Sequence, residues 1–260
     1  MKRDSSRLVS SDLREHPFWW ERTPRSKEDP PHLPASTDVL IVGSGYTGLC
    51  AALQTARGGR STLVVDAAEP GWGCSSRNGG QIGTGIKPDF AALEKEHGRE
   101  TAYEVHREGQ RALSWIGEFI REENIDCDYR VCGRFFGAHT PRHYDQLARK
   151  LESQPPGLEM EAFLVPRADQ PKEIDTEFYH GGVVQCQHAA VDPAAYHQGI
   201  LARAQESGVT VVGHTRVTAI ERSGDREGFV VETDRGRVRA GEVVIATSGY
   251  TSRLTPWQQL

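Results

Sequence analysis

Residues 38–81 read DVLIVGSGYTGLCAALQTARGGRSTLVVDAAEPGWGCSSRNGGQ, and this stretch decides the fold. Its first apolar run, residues 39–42, is short and rich in β-branched side chains, which is typical of a buried parallel strand. The run leads into a complete G-x-G-x-x-G at residues 43–48, and residues 49–56 then carry apolar side chains at helical spacing. A second apolar run follows and ends at Asp66. This order predicts a β-α-β unit with a glycine-rich turn after its first strand.

Each glycine of the turn has a separate predicted role. Gly43 permits a tight turn, Gly45 lets the backbone approach a pyrophosphate without a Cβ in the way, and Gly48 allows close packing of helix on strand. The amides at the start of the helix then face the phosphates. Asp66 lies 18 residues after Gly48, at the end of the second strand, where a carboxylate can accept hydrogen bonds from ribose hydroxyls. The unit is predicted to bind a dinucleotide; a glycine-rich turn in an unrelated α/β protein is the alternative.

Composition excludes several other classes of protein. The chain has 260 residues, which is enough for one or two domains. A net charge of −5 argues against a broad nucleic-acid-binding surface. No apolar run approaches the ~20 residues of a membrane span, and the N-terminus lacks the apolar core of a secretory signal. The 5 cysteines form no C-x-x-C pair, which predicts reduced thiols, no metal site and a cytoplasmic location.

Two segments beside the β-α-β unit suggest contacts with a ligand or with the body of the protein. Residues 67–81 form an irregular stretch of glycines and small hydroxyls whose backbone amides suit an anionic ligand. Arg77 adds a positive charge, which beside a reducible ring would stabilise the anion formed on hydride uptake; a solvated arginine in a surface loop is the alternative. Residues 1–35 predict a proline-broken arm, whose aromatic cluster at residues 16–20 is expected to dock as a packing anchor rather than as a substrate contact.

The rest of the chain predicts alternating helices and strands. Predicted helices cover residues 89–124 with a break at Gly98, residues 144–152, and a segment that begins at Asp192-Pro193 and ends at Gly208. Predicted strands cover residues 128–138, 209–212, 217–220, a hairpin of 229–233 with 237–240, and a last strand at 242–247 that leads into a small-residue turn. Between these, residues 131–190 have a less regular pattern and are interpreted as an insertion, and its histidines (His139, His180 and His188) are interpreted as structural.

Three motifs together resemble a known family. The GYTGL turn at residues 45–49, the GWGCSSRNGGQ loop at residues 71–81 and the ATSG segment at residues 246–249 resemble the FAD-dependent D-amino-acid-oxidase-like (DAO) superfamily. Within it, the turn and the loop look like those of γ-glutamylputrescine oxidase and its relatives. The β-α-β unit alone does not separate FAD from NAD, whereas the SSRNGG and ATSG segments favour FAD. The resemblance extends over roughly residues 17–253.

The resemblance implies a role for each matching residue. It implies noncovalent FAD, with its pyrophosphate held by residues of the turn: Gly43, Ser44, Gly45, Tyr46, Thr47 and Gly48. Asp66 would hold the adenosine ribose, Ala67 beside it is a further cofactor-binding residue, and the backbone of Val217 would bind the adenine. The pyrophosphate and isoalloxazine would be lined by Ser75, Ser76, Arg77, Asn78, Gly79 and Gln81, and the phosphate and ribitol would lie near Thr247 and Gly249. Asp66 stands where the family more often has glutamate. Arg77 is the candidate catalytic residue, as electrostatic support for the reduced ring.

The implied fold is α/β, with a Rossmann-like FAD-binding domain (a parallel central sheet plus a β-meander) and a partial α+β substrate domain inserted in it. The expected division is an arm at residues 1–35, the FAD-binding domain at 36–130 and 191–260, and the substrate domain at 131–190. Because family members usually continue with further substrate-domain strands and a glycine-rich segment over the flavin, the resemblance also implies a C-terminally truncated chain.

The implied activity is oxidation of a small-molecule amine or amino acid. The C–H next to nitrogen would give a hydride to the flavin, and water would hydrolyse the imine. Two alternatives stay open: a truncated, catalytically silent FAD-fold protein that acts as a binding or assembly partner, and an NAD-dependent dehydrogenase. The sequence leaves the oligomeric state open.

Overall fold

The structure, a computed structural model, describes residues 10, 12–14, 16–25, 30–224, 227–250 and 254. Its helices within these residues are α1 (Trp19–Arg22), α2 (Tyr46–Arg57), α3 (Phe90–His97), α4 (Arg99–Glu122), α5 (Pro141–Glu152) and α6 (Pro193–Glu206). Its strands there are β1 (Ser36–Val42), β2 (Thr62–Val65), β3 (Gln81–Ile82), β4 (Arg130–Val131), β5 (Arg134–Gly137), β6 (Ala162–Val165), β7 (Gly182–Gln185), β8 (Ala189–Ala190), β9 (Thr210–Val212), β10 (Val217–Arg222), β11 (Phe229–Thr233) and β12 (Gly236–Ile245).

The chain divides into two compact units. The nucleotide unit comprises Met1–Asn78 and Pro193–Leu260, and the inserted unit comprises Gly79–Asp192. The division falls after Asn78 rather than at the predicted residue 130. The reason is that helices α3 and α4 pack on each other and on their own unit: the Gln110 side chain, on α4, donates to the Leu158 carbonyl over 2.8 Å. The inserted unit is therefore longer than the predicted 131–190.

The nucleotide unit is built on one mixed sheet of six strands in the order β10-β11-β12-β1-β2-β9. Strands β12, β1, β2 and β9 pair in parallel, and β10, β11 and β12 form an antiparallel meander. The predicted parallel central sheet with a β-meander is confirmed. The four residues of β2 are all buried, which explains why its sequence is a continuous apolar run rather than an alternating one.

Strand β12 corrects one prediction. The expected hairpin strand at 237–240 and last strand at 242–247 are a single strand, Gly236–Ile245. Its first half pairs antiparallel with β11, and residues 239–245 pair in parallel with β1. Gly241 makes this possible, because a Cβ there would lie 2.9 Å from the Asp38 carbonyl oxygen. The glycine thus allows close passage of two strands, and it does not mark a turn.

Both faces of this sheet are covered by apolar side chains. One face carries a buried cluster of Leu40, Val42, Leu63, Val65, Val212, Val217, Val231, Val238 and Ala240. Helix α2 contacts β1, β2 and α6, and its Leu49, Ala52 and Leu53 are fully buried. Since full burial of a leucine side chain contributes roughly 1.5–3 kcal/mol, the apolar face of α2 holds the glycine turn at its N-terminus firmly on the sheet.

The inserted unit contains two antiparallel three-stranded sheets, β3-β8-β4 and β5-β7-β6. The predicted strand at 128–138 is broken at Gly133, whose φ of 70° ends β4 and starts β5 in the other sheet. The predicted helix break at Gly98 is confirmed: α3 ends and α4 begins there, with a φ of 86°. The substrate-binding role of this unit stays a prediction.

None of the five cysteines, all of which lie within the described residues, forms a disulfide bond. Burial raises the pKa of the Cys127 thiol to about 11. No group of three or more histidine, cysteine or acidic residues in the described part of the chain could hold a metal ion. No helix among the described residues is both long enough and apolar enough to cross a membrane.

Candidate functional site

The glycine turn of residues 43–48 has the geometry that the sequence predicts. Gly43 has a φ of 105°, and a Cβ on it would lie 2.6 Å from the Ala246 carbonyl oxygen. A Cβ on Gly48 would overlap the carbonyl group of Gly43. The tight turn at Gly43 and the close helix–strand approach at Gly48 are therefore confirmed, and both positions exclude any larger residue.

The start of helix α2 exposes backbone donors. Its N-cap residue is Gly45, which has no side chain to satisfy them. The Tyr46 amide donates to the Ser75 hydroxyl over 3.1 Å. Among the described residues, the amides of Gly45, Thr47 and Gly48 have no hydrogen-bond partner. Such amides at the positive end of a 12-residue helix are suited to anionic oxygens.

Asp66 lies at the end of β2, as predicted, but its carboxylate is largely engaged within the protein. Its Oδ2 accepts hydrogen bonds from the Ser44 amide over 2.8 Å and from the Ser44 hydroxyl over 2.6 Å. Its Oδ1 accepts one from the Ala68 amide over 3.1 Å. A carboxylate oxygen has two lone pairs, so Oδ1 keeps one acceptor position for a ribose hydroxyl. Asp66 thus fixes the turn, and its ribose contact stays a prediction.

His197 is a part of this site that sequence reasoning missed. Its Nε2 lies 2.7 Å from the Ser44 carbonyl oxygen and must donate, because a carbonyl only accepts. Gly71 packs so closely on the ring that a Cβ there would overlap it. Burial lowers the pKa of His197, which keeps the ring neutral. Its position four residues after Pro193, on the face of α6 that buries Ile200 and Ala204, was the available signal.

The cofactor loop, residues 69–78, lies beside the turn and is held by hydrogen bonds of two serine hydroxyl groups. Its Cys74–Ser76 segment is a short 3-10 helix. The buried Ser76 hydroxyl donates to the Gly71 carbonyl over 2.5 Å. The Ser75 hydroxyl is the nearest atom to the position of a Cβ on Gly45, at 3.0 Å. The Asn78 side-chain amide donates to the carbonyls of Cys74 and Ser75, so its amide stabilises the loop.

Arg77 contacts two indole rings. Its guanidinium carbon lies 4.8 Å from the centroid of Trp20 and 4.6 Å from that of Trp72. Within the described residues no carboxylate is within salt-bridge distance of Arg77, and its buried Nε has no hydrogen-bond partner. Trp20 comes from the arm, within its described segment of residues 16–25, so the predicted docking of the aromatic cluster on the body is confirmed. The electrostatic role of Arg77 in catalysis stays a prediction.

The segment after β12 lies beside the turn. The Ala246 amide donates to the Val42 carbonyl over 2.8 Å, and Ser248 has a φ of 50°. Among the described residues, no atom lies within 4 Å of the position of a Cβ on Gly249. The Tyr250 hydroxyl lies 3.4 Å from the Cys74 sulfur. The structure therefore brings the turn, the cofactor loop and the 246–250 segment together at the carboxyl ends of β1 and β12, where open α/β sheets bind ligands.

The other predicted residues have more varied positions. Ala67 is exposed beside Asp66. Val217 is buried at the start of β10, and the segment before it is joined to the end of β2 because the Thr215 amide donates to the Asp66 carbonyl over 2.7 Å. Gly79 and Gln81 belong to the inserted unit, where Gln81 pairs with Ala190. Their contacts with a cofactor stay predictions.

Two proteins of known name are similar to the chain over most of its length. It is 30% identical over 242 residues to the probable oxidoreductase OrdL of Rhizobium meliloti (strain 1021). The aligned region covers 92% of this chain and 56% of that protein. It is also 30% identical over 217 residues to the gamma-glutamylputrescine oxidoreductase of Escherichia coli (strain K12). That aligned region covers 82% of this chain and 49% of the relative. The chain thus spans about half the length of these relatives.

Solved structures support the fold and the sequence supports the family. The glycine oxidase of Geobacillus kaustophilus superposes with a TM-score of 0.74 at 20% identity, over 87% of this chain and 59% of that one. Residues 38–259 match the family described as DAO, FAD dependent oxidoreductase. The predicted α/β fold and the predicted cofactor, FAD, are both confirmed by this match. The chain belongs to the DAO family of FAD-dependent oxidoreductases.

Proposed function

We propose that the chain is the FAD-binding part of an oxidoreductase that oxidises an amine or an amino acid at its C–N bond. One observation carries the proposal: the N-terminus of helix α2 lies beside the cofactor loop at the end of β1, and its amides at Gly45, Thr47 and Gly48 have no partner in the described part of the chain. This arrangement fits a pyrophosphate, because fixed backbone dipoles replace the hydration of its oxygens.

The residues that would hold FAD follow from the free donors and acceptors. The pyrophosphate would lie on the three free amides, with the Ser75 hydroxyl beside them. The remaining acceptor position on Asp66 Oδ1 would accept from the ribose. Thr247 and Gly249 would approach the ribitol end, since no other described residue fills the space around the Cβ position of Gly249. Noncovalent binding is proposed, as the sequence predicts.

The chemistry that bound FAD supplies is acceptance of a hydride from the substrate C–H next to nitrogen, which leaves an imine for water to hydrolyse. The chain supplies position and charge. Asp66 and His197 hold Ser44 from two sides and thereby fix the amides of the turn. The Arg77 guanidinium, which has no carboxylate partner among the described residues, contributes a positive charge that would favour an anionic reduced ring.

The names of the relatives suggest where to look for the substrate. The E. coli relative is named for γ-glutamylputrescine, an amide that ends in a primary amine, and it is 30% identical to this chain. We therefore propose a small primary or secondary amine as the substrate class. The catalytically silent alternative gains no support, because both relatives are named as oxidoreductases.

The test is the absorption spectrum of the purified protein. We expect a flavin spectrum, or its appearance on addition of FAD but not of NAD, and bleaching under anaerobic conditions by γ-glutamylputrescine. The same compound acetylated on its terminal putrescine amine is the control, because it lacks the amine that would be oxidised. Protein that takes up FAD but is bleached by no amine would refute the amine-oxidising part of the proposal. Protein that binds NAD and not FAD would refute the proposal entirely.

A further inference from the structure

The arm contacts the cofactor loop at three separate places. Arg25 forms an ion pair with Glu69 over 2.6 Å and also hydrogen-bonds to the Pro70 carbonyl, at the start of the loop. The Trp20 indole N–H donates to the Ser76 hydroxyl over 2.8 Å. The Trp19 indole N–H donates to the Asn78 carbonyl over 2.9 Å, at the end of the loop. The loop is thus held at its beginning, its middle and its end.

The Trp20 ring is the centre of these contacts. The guanidinium carbon of Arg25 lies 4.5 Å from its centroid and that of Arg77 lies 4.8 Å from it. The Arg25 side chain is only 14% exposed, and burial lowers its pKa despite the opposite charge of Glu69. Contacts between a guanidinium and an indole are worth most when water is excluded. Trp20 therefore joins an arginine of the arm to an arginine of the loop.

The loop needs such support because its own backbone is permissive. Gly71 has a φ of 76°, and Gly73 follows two residues later. Loop contacts also decide where Ser75 lies, and its hydroxyl accepts from the Tyr46 amide beside the free amides of the turn. A displacement of the loop would therefore move Ser75 relative to the place where an anion would bind. Ordering a flexible loop costs conformational entropy. If the loop is already ordered before the ligand binds, that entropy cost does not weaken binding.

We propose that Trp20 is a positioning residue of the cofactor site: together with Arg25 it holds the cofactor loop in its binding conformation before FAD arrives. The part of this inference that concerns FAD rests on the proposed function, whereas the ordering of the loop does not. The arm is then a component of the cofactor site and is more than a packing anchor.

The test compares Trp20→Ala with Phe18→Ala. Phe18 is an aromatic residue of the same arm, is 63% exposed, and has a ring contact with Trp19. In FAD-free protein we expect Trp20→Ala to increase hydrogen exchange at the amides of Gly71, Trp72 and Arg77 at least about tenfold. We also expect the Kd for FAD to rise about tenfold. Phe18→Ala should change neither measurement by more than about twofold.

A second variant separates ring packing from the hydrogen bond and guards against loss of folding. Trp20→Phe keeps an aromatic ring and removes the N–H donor to Ser76, so we expect about a threefold change in both measurements. Equal exchange in Trp20→Ala, Trp20→Phe and wild type would overturn the inference. Wild-type protein that fails to bind FAD would refute the proposed function instead, and the exchange experiment would still decide the role of the arm in ordering the loop.

Discussion

The glycine turn and the cofactor loop meet at the same site, but different forces shape them. In the turn, the decisive approaches are between backbone atoms: the Cβ position of Gly48 overlaps the nearby Gly43 carbonyl, and that of Gly43 lies 2.6 Å from the Ala246 carbonyl oxygen. The absence of a Cβ at these two glycines permits both approaches. A sequence motif can therefore specify the turn almost completely.

The cofactor loop is shaped by residues far away along the chain. Trp19 and Trp20 contact Asn78 and Ser76 across 59 and 56 residues. Tyr250 reaches Cys74 across 176 residues. These contacts are made by side chains of ordinary types, which carry no motif. Glycines that are required by steric exclusion can therefore be recognised in the sequence. Side-chain contacts between distant segments can be recognised only in the three-dimensional structure.

Gly48→Ala gives the sharpest test of the local character of the turn. The new Cβ would meet a backbone carbonyl, which cannot move without moving β1. We expect the free energy of unfolding in urea to fall by about 3 kcal/mol, as for an overpacked core position. The control is Gly85→Ala, where the Cβ would meet open space, and the expected change is within about 0.5 kcal/mol. Equal stabilities of the two variants would show that the turn can relax and that its sequence is less decisive.

Gly45→Val tests the same turn with a smaller expected effect. The nearest atom to a Cβ there is the Ser75 hydroxyl, which can rotate away, so the fold should survive with a loss of about 1 kcal/mol. The valine would cover the free amides, and we expect FAD affinity to fall about thirtyfold, or about 2 kcal/mol. Gln54→Val, on an exposed position of the same helix, should leave the fluorescence titration of FAD unchanged. Normal flavin binding by Gly45→Val would show that the phosphate role is misassigned.

The features of the fold that could be predicted from the sequence are those set by local patterns, and the features that could not be predicted depend on contacts between distant segments. The β-α-β unit and the helix break at Gly98 are local patterns, and both are confirmed. Strand β12 differs from the predicted pair of strands, 237–240 and 242–247, because one strand changes partner at Gly241, which allows close passage of β1. The boundary at Asn78 could not be read, because it depends on which unit the helices α3 and α4 pack against.

In the site, the sequence predicted positions better than contacts. Asp66 lies where its spacing placed it, yet two of its three hydrogen bonds are to Ser44. Arg77 was predicted to face a cofactor ring, and in the structure its guanidinium lies against two indoles. A carboxylate or a guanidinium can satisfy its charge in several directions, and the spacing of residues does not say which direction is taken.

His197 is an exception to the contrast between the turn and the loop, because it is distant in sequence and contacts the turn. It lies 153 positions from Ser44 and yet contacts the turn, so the turn is not wholly a product of local sequence. Burial lowers the pKa of the folded-state ring, whereas in the unfolded chain the pKa is about 6.5. Below about pH 6.5 the unfolded chain therefore binds a proton that the folded protein does not, and stability is lost as the pH falls.

We expect His197→Gln to remove this loss while keeping a donor for the Ser44 carbonyl. Between pH 7 and pH 5 the wild type should lose about 1 kcal/mol more unfolding free energy in urea than the variant does. His32→Gln, which replaces an exposed histidine, is the control and should follow the wild type. If His197→Gln loses as much stability as the wild type over this range, the buried ring contributes nothing to the pH dependence. His197 would then support the Ser44 carbonyl only as a hydrogen-bond donor, a role that the glutamine amide retains.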